Sequence, residues 1–599
     1  MIEPRRENDL IHFFIENLQD PKPEGLWKAN TRISIGSTET DAKAVIETIM
    51  ILGNKLKICA RLSRDHYDFE FKDSIHIVSQ REMPEGKGLR EGFLESIPPF
   101  SNGKRIIKAL YGGSHIYYHP LRRINSYIFP GPVPITLNPY QNEYVERLLS
   151  ETPLTMANSP FGCGKSMTIA TAAFYAVLRS RSRQDKSQQL LVTQSNFASV
   201  NLVDITKKYR EKCRVIRYIS DNNWMELPED GRSIMDLPFR MQQVFMDYVS
   251  GVTPYGNDYH IYQMAIFLKE KNAMKIEDMN PKCQNFFRIN PNAKKYEFFK
   301  LVRIFFDLYD AEIVITTSDS LLSALPHLRG ISTVQFDEAS QIPECALIQI
   351  LSMFPDACFG LVGDINQLPP YCDVLLTGYL KTFGIGNTME RAIMNNMFPQ
   401  VDLRIVYRCH PVTTLILGHC FYGGKLFSGV SADERNELMV NRPDFWPNPN
   451  FPIMIVNNTA PSRMAGTSCF NEKELFIVKQ LVYALTSPTY NYTFKPSDIG
   501  IISFYRAQTS FLLEEFRDLN VKCGTVDSFQ GTEKEIIIVC CTNEAVNGFL
   551  GMRNRINVAM SRAKQTTIVV GNLNGLLQSI HWRTIAEMVK NQGCVKTIS

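Results

Sequence analysis

A chain of 599 residues has room for roughly three or four domains of ~150 residues, and 44% hydrophobic with 21% charged residues is the composition of an ordinary globular protein. The net charge of +4 neither demands nor excludes nucleic acid, because such binding needs a local basic groove rather than a basic whole. No window approaches the ~20 unbroken apolar residues of a membrane span, the charged start Met1–Glu7 leads into no apolar signal core, and the 14 cysteines form no paired Cys-x-x-Cys arrangement. Free thiols in a chain without a signal fit a reducing compartment, the cytosol or the nucleus.

In residues 1–130 short strand-like runs alternate with turns. Tyr67, Phe69 and Phe71 alternate with charged residues at the period of a half-buried strand, and Ile75–Val78, Ile106–Leu110 and His115–Tyr118 are further candidates. Pro98-Pro99 and Gly112-Gly113 punctuate them. The pattern predicts a small β-rich accessory domain, with a barrel as one form. Lys104, Arg105, Lys108, Arg122 and Arg123 fit either a solvated face or a nucleic-acid surface.

From residue 131 the texture becomes α/β. Apolar runs at Gln189–Val192, Ile313–Thr316, Thr333–Phe336 and Phe359–Val362 alternate with helical patterns, which predicts a parallel sheet with crossover helices over 131–400. A mostly helical insert is expected at 204–310, where Tyr296, Phe299, Leu301, Ile304 and Phe305 have the spacing of a packed helix. Arg179, Arg181, Arg183 and Lys186 form a basic loop, solvated or phosphate-binding. A second α/β domain is predicted over 401–599, with strands at Ile453–Val456, Ile499–Ser503, Ile536–Cys541 and Thr566–Val570 and a Pro/Asn-rich loop from Arg442 to Pro452.

The chemistry concentrates on Ser159-Pro160-Phe161-Gly162-Cys163-Gly164-Lys165-Ser166, which follows the apolar run Leu154–Ala157 and precedes a helical stretch from Met167 to Arg179. In such a loop backbone N–H groups and a helix N-terminus close around phosphate oxygens, the lysine reaches the outer phosphates and the serine helps hold Mg²⁺. Ser159 stands where G-x-x-x-x-G-K-[ST] has its first glycine. A residue before proline is biased to extended angles, so glycine's positive-φ freedom is not needed there. The strand Thr333–Phe336 runs into Asp337-Glu338-Ala339-Ser340, where a carboxylate pair would serve metal and attacking water or, equally, the start of a helix. Leu361-Val362-Gly363-Asp364-Ile365-Asn366-Gln367-Leu368-Pro369-Pro370 sets a side-chain amide just past another strand end.

With these motifs in this order, residues 137–573 resemble the superfamily 1 helicases, in the group related to the nonsense-mediated-decay RNA helicase. Further motifs carry the resemblance: Leu137-Asn138-Pro139-Tyr140-Gln141, Gln194-Ser195-Asn196, Tyr407-Arg408-Cys409-His410-Pro411 with Phe421-Tyr422-Gly423-Gly424, Thr525–Glu535 and Asn557–Lys564. The resemblance implies two RecA-like P-loop NTPase domains, with the β-rich N-terminal domain and the helical insertion as accessories. ATP and Mg²⁺ would bind between the lobes. It implies Lys165, Asp337, Glu338, Gln367, Arg408 and Arg562 as catalytic residues, with Ser166 and Asp337 at the metal. Nucleotide contacts would come from Gln141, Gly162, Cys163, Gly164, Lys165, Ser166, Tyr407 and Glu533, with Tyr407 stacking on adenine and Glu533 near the ribose. For single-stranded nucleic acid it suggests Ser195, Asn196, Thr316, Thr317, Thr525 and Ser528, with RNA slightly favoured over DNA and 5′→3′ polarity. A clamp or ribonucleoprotein remodeller that hydrolyses ATP without processive unwinding, and an inactive scaffold, are the alternative readings.

Overall fold

In the computed structural model the described residues are strand segments between 5 and 79, then 93–112, 120–220, 231–240, 309–370 and 388–597 apart from 467, 491 and 547, with isolated positions elsewhere. The expected strand at Tyr67–Phe71 and the helix through Tyr296–Phe305 lie outside them. The chain divides into two compact units, 1–92 and 93–599.

The first unit contains an antiparallel sheet of β1 (Arg5–Glu7), β2 (Leu10–Ile15), β3 (Arg32–Gly36), β4 (Asp41–Leu52), β5 (Lys55–Leu62) and β6 (His76–Ser79), in the order β1-β2-β5-β4-β3-β6. Ile11 and Phe13, Ala44 and Ile46, and Ile58, Ala60 and Leu62 alternate with less buried neighbours, so one face is apolar. No pair joins β1 to β6 among the described residues, so the sheet is open as described.

The β-rich unit ends at Gly92, short of the boundary expected at 130. Ile106–Leu110, expected as a strand, lies in the helix α1 (Asn102–Gly112). The reason is spacing: Gly103, Ile106, Ile107 and Leu110 share one helical face and are buried with the core of the larger unit. Gly103 sits so close to the helix α5 (Glu344–Met353) that a Cβ would fall 2.2 Å from the Leu351 carbonyl oxygen.

Two parallel sheets organise the larger unit. The first contains β7 (Leu154–Asn158), β8 (Gln188–Thr193), β9 (Val215–Arg217), β10 (Ile313–Thr317), β11 (Ile331–Asp337), β12 (Cys358–Gly363) and β13 (Gln400–Asp402), ordered β9-β10-β8-β11-β12-β7-β13. Its central strands are buried along nearly their whole length, which is why they read as unbroken apolar runs. Helices α2 (Pro139–Leu149), α3 (Lys165–Ser182) and α4 (Asn196–Lys207) pack beside it. The second sheet contains β14 (Ile453–Asn457), β15 (Ile499–Ser503), β16 (Lys522–Thr525), β17 (Lys534–Cys540), β18 (Ala563–Gly571) and β19 (Val595–Thr597), ordered β16-β15-β17-β18-β14-β19. With it go α6 (Pro411–Tyr422), α7 (Glu472–Thr486) and α8 (Arg553–Met560). These are the two RecA-like lobes. Among the described residues no helix is long and apolar enough to cross a membrane, and the described cysteines are free thiols.

Candidate active site between the two lobes

The phosphate loop leaves the C-terminal end of β7 and enters α3 at Lys165. Its left-handed residues are Gly162 (φ 64°) and Gly164 (φ 76°); Ser159, which stands where the pattern has its first glycine, is not among them. Both glycines are also needed for room. A Cβ on Gly162 would fall 2.6 Å from the Arg408 Cβ, and one on Gly164 would fall 2.7 Å from the Gln141 Nε2. Gln141 is buried as part of a capping box: its Oε1 accepts from Asn138 N (3.0 Å) while its Nε2 donates to the Cys163 carbonyl (3.1 Å). It therefore braces the phosphate loop from α2. Cys163 is buried, its Sγ donating to the Leu403 carbonyl (3.7 Å), so its side chain points away from the phosphate face.

Lys165 Nζ lies 3.4 Å from the Ser159 carbonyl and 3.6 Å from Glu338 Oε1. Ser166 Oγ donates to Asp337 Oδ2 at 2.7 Å, so the two side chains expected at a metal meet, one from α3 and one from the end of β11. Burial, and then the Glu338 charge beside it, push the Asp337 carboxyl up to about 6. Glu338 is left-handed (φ 52°), a conformation disfavoured for a residue with a Cβ, and its Oε2 is buried without a hydrogen-bond partner. Strain and an unpaired buried acceptor therefore meet at this one residue of the cleft.

The second lobe contributes two arginines. Arg562 is buried; its Nη2 donates to Gln367 Oε1 at 2.9 Å and its Nε to the Val558 carbonyl at 3.0 Å. Burial, and then the neighbouring Arg408, bring its pKa down to about 10. Arg408 Nε donates to Glu533 Oε2 at 2.7 Å and Nη1 to the Ser561 carbonyl at 3.1 Å. Burial disfavours the Arg408 charge, but Glu533 outweighs it and holds the pKa above the ordinary value. Glu533 is thus an ion-pair partner of Arg408, with Lys564 at 3.8 Å as a second cation. Gln367 Nε2 is buried without a partner, while its Oε1 is held by Arg562. Tyr407 is 38% exposed, with its hydroxyl accepting from Asn138 Nδ2 (3.0 Å) and its ring against Gly429. Arg435, which the sequence did not single out, donates to the carbonyls of Arg408 (2.9 Å) and Tyr407 (3.1 Å) and fixes this segment.

Together these residues line a cleft of about 460 Å³ that takes in Gly162–Met167, Asn201, Glu338, Gln367, Tyr407, Arg408, Glu533, Arg562 and Lys564. A second cleft of about 340 Å³ lies at the opposite ends of β11 and β12, and its charges are spent on one another: Arg179 and Arg183 both bind Glu151 Oε1, at 2.5 and 2.7 Å. Arg181 likewise pairs with Glu312 at 2.7 Å, and Arg179 and Arg181, expected in a basic loop, lie in the last turn of α3 with Arg183 as its cap.

The residues suggested for a nucleic-acid track divide. Ser195 caps α4, its Oγ accepting from Ala198 N at 3.2 Å, and Asn196 follows it half-buried. Thr525 and Ser528 form a turn after β16, with Ser528 exposed. Thr316 and Thr317, in contrast, are buried at the end of β10, and Thr317 Oγ1 is engaged with Ser320 Oγ at 3.0 Å. Their hydroxyls complete the strand end and its following turn, and are not presented at a surface.

A family model described as an AAA domain matches residues 386–574. An uncharacterized ATP-dependent helicase of Caenorhabditis elegans is 42% identical over 99% of this chain and 42% of its own length. The regulator of nonsense transcripts 1 homolog of Neurospora crassa is 26% identical over 77% of this chain and 39% of its own, and the ATP-dependent helicase upf1 of Schizosaccharomyces pombe is 27% identical over 76% and 47%. The chain belongs to the superfamily 1 helicases. It stands in the group related to the nonsense-mediated-decay helicase, and it spans less than half the length of these relatives. Such helicases use ATP, and the donor set of the cleft fits it. Two arginines and a lysine face the loop, while Gln367 Nε2 lacks an acceptor. A hydroxyl–carboxylate pair suits Mg²⁺, which keeps several waters and takes few protein ligands.

Proposed function

We propose that this chain is an ATP-dependent helicase that translocates along single-stranded nucleic acid and separates or strips what lies ahead. The observation that carries the reading is the Arg562–Gln367 hydrogen bond: it joins the two lobes directly over the phosphate loop, so the site is complete only when both lobes contribute. Bound MgATP would supply the phosphoryl group whose transfer to water drives the cycle. Lys165 and the loop N–H groups hold phosphate oxygens, Ser166 and Asp337 hold the metal, and Glu338, with its free Oε2, accepts the proton of the attacking water. Arg408 and Arg562 offset the charge that develops on transfer, and Gln367 donates its unpartnered Nε2 to the outer phosphate. Tyr407 stacks its exposed ring on adenine. Gln141 and Cys163 act on the nucleotide through the shape of the loop, and Glu533 acts through Arg408.

The nucleic acid crosses the exposed loops at Ser195, Asn196, Thr525 and Ser528, whose short polar side chains suit backbone contacts without sequence readout. Polarity of 5′→3′ and a preference for RNA rest on the family resemblance. ATP turnover measured without nucleic acid, with single-stranded RNA and with single-stranded DNA tests the reading, and a 5′-tailed duplex with one labelled strand tests unwinding. Turnover that no nucleic acid stimulates would overturn the proposal. Stimulated turnover without strand release would replace the helicase with a clamp.

A further inference from the structure

Between the phosphate cleft and the second lobe lies a buried polar network that the hydrolysis residues do not use. The turn Asp364–Gln367, which leaves β12, is gripped from the second lobe along its whole length. Tyr422, the last residue of α6, donates its hydroxyl to Asp364 Oδ2 at 2.7 Å, and that hydroxyl accepts from Asn557 Nδ2 of α8 at 2.6 Å. Asn557 Nδ2 also donates to the Asn366 carbonyl at 3.0 Å. Arg553 Nη1 reaches Asn366 Oδ1 at 2.8 Å, and Asn554 Nδ2 reaches the Gln367 carbonyl at 2.5 Å. Asp364 and Asn557 are fully buried, and burial raises the Asp364 carboxyl despite the Tyr422 bond. The Tyr422 ring meets Phe161 of the phosphate loop edge-on at 5.8 Å.

We infer that Tyr422 and Asn557 are positioning residues that latch the Asp364–Gln367 turn to the second lobe, so that the free amide of Gln367 faces the phosphate cleft only while the lobes are closed. The inference rests on the proposed function and adds residues of α6 and α8 to it. The physical case is that a hydroxyl between a buried carboxylate and a buried amide has a defined direction and no water to replace either partner. Opening the lobes takes the Tyr422 hydroxyl from Asp364 Oδ2 and the Asn557 amide from the Asn366 carbonyl together, so the closed arrangement is favoured as a unit. Gln367 is three residues from Asp364, and its backbone N donates to the Asp364 carbonyl at 3.1 Å, so the grip on one fixes the other.

Tyr422→Phe keeps the ring against Phe161 and removes only the hydroxyl. The expected result is a fall in nucleic-acid-stimulated kcat of about tenfold, the loss of one hydrogen bond to a charged group. The KM for ATP, the ADP affinity and the number of nucleotide sites per chain should stay within about twofold, because no nucleotide contact is touched. Asn557→Ala should give the same signature, and the double variant should be little worse than either single one, since both act through one network. Unchanged kcat in Tyr422→Phe, or a fall matched by an equal loss of nucleotide sites, overturns the latch while leaving the function standing. So does an additive double variant. Absence of stimulated turnover in the unaltered chain overturns the function and the latch with it.

Discussion

Arg562→Met should separate activity from stability in opposite directions. The guanidinium is buried, its pKa brought down to about 10 by burial and by Arg408, which is equivalent to about 3 kcal/mol against carrying the charge in the fold. Because the folded value lies below the unfolded one, this cost is present at any pH below about 10, and methionine removes it while filling similar volume. Against that stands the unpaired Gln367 Oε1 left behind, about 1–3 kcal/mol. The net expectation is a thermal midpoint unchanged or modestly raised without nucleotide, as replacing a buried charge by an apolar side chain can do. Activity should move the other way: an arginine acting on a transferring phosphoryl group contributes ~10³–10⁵ in rate, so kcat should fall by about 10³ or more. The assays are thermal melting with no nucleotide, with ADP and with a non-hydrolysable ATP analogue, alongside single-turnover hydrolysis. The larger stabilisation given by the triphosphate analogue should shrink to that given by ADP. A midpoint lowered by several degrees together with kcat within tenfold of the unaltered chain would refute the assignment of Arg562 as a charge held for the phosphate.

Lys165→Ala should abolish nucleic-acid-stimulated ATP turnover, and turnover kept within tenfold would remove the phosphate-loop assignment. Gly162→Ala puts a Cβ into a residue at φ 64° and against Arg408, so it should lower the melting midpoint and weaken ATP binding together. Cys163→Thr should leave ATP turnover within about twofold, since the buried side chain meets the Leu403 carbonyl rather than the phosphate face and a hydroxyl can still donate there. Glu474→Gln tests a buried carboxyl on α7 that accepts from Thr542 N (2.7 Å) and Thr542 Oγ1 (2.8 Å) and whose pKa burial pushes up to about 8. Its folded pKa lies above the unfolded value, so stability falls as pH rises from about 4.5 to about 8 and is flat beyond. The glutamine variant should lose that slope, gaining on the unaltered chain between pH 5 and 8 in melting experiments.

How legible the molecule was depended on whether a residue's role was local. The strands β7, β8, β10, β11 and β12 were readable because burial on both faces keeps them mostly apolar, with buried polar residues such as Gln189 and Gln335 hydrogen-bonded to neighbouring side chains. β9, β13 and β19, three residues each, are too short to show a period, and only their neighbours in the sheet make them strands. Ile106–Leu110 misled because five residues with apolar ends fit either period; the close packing of Gly103 on α5, which fixes the helical face, has no local signature. Within the site, Lys165, Ser166 and Asp337 were singled out by motifs beside strand ends and Arg562 by the family resemblance alone, and the structure brings Ser166 to Asp337 and Arg562 to Gln367. The setting of Thr316 and Thr317 was not legible: whether a hydroxyl after a strand faces solvent or closes the next turn depends on Ser320. Tyr422, Asn557 and Asp364 sat in plain view in the motifs, but a hydrogen bond between residues 135 and 58 positions apart has no local signature.

The two arginines of the second lobe, equivalent in sequence reasoning, are electrostatically unlike. Arg408 is neutralised within the protein by Glu533 at 2.7 Å, which itself lies close to Lys564 at 3.8 Å. Among the described residues Arg562 has neutral oxygen partners, the Val558 carbonyl and Gln367 Oε1, and a like charge beside it. A ligand anion therefore gains most from Arg562, where no protein carboxylate must first be displaced, whereas Arg408 must loosen its hold on Glu533 to turn toward the cleft. Under the proposed function that asymmetry would order the events of closure: Arg562 and Gln367, which form an interlobe contact, would meet an outer phosphate first, and Arg408 would join when charge develops on it.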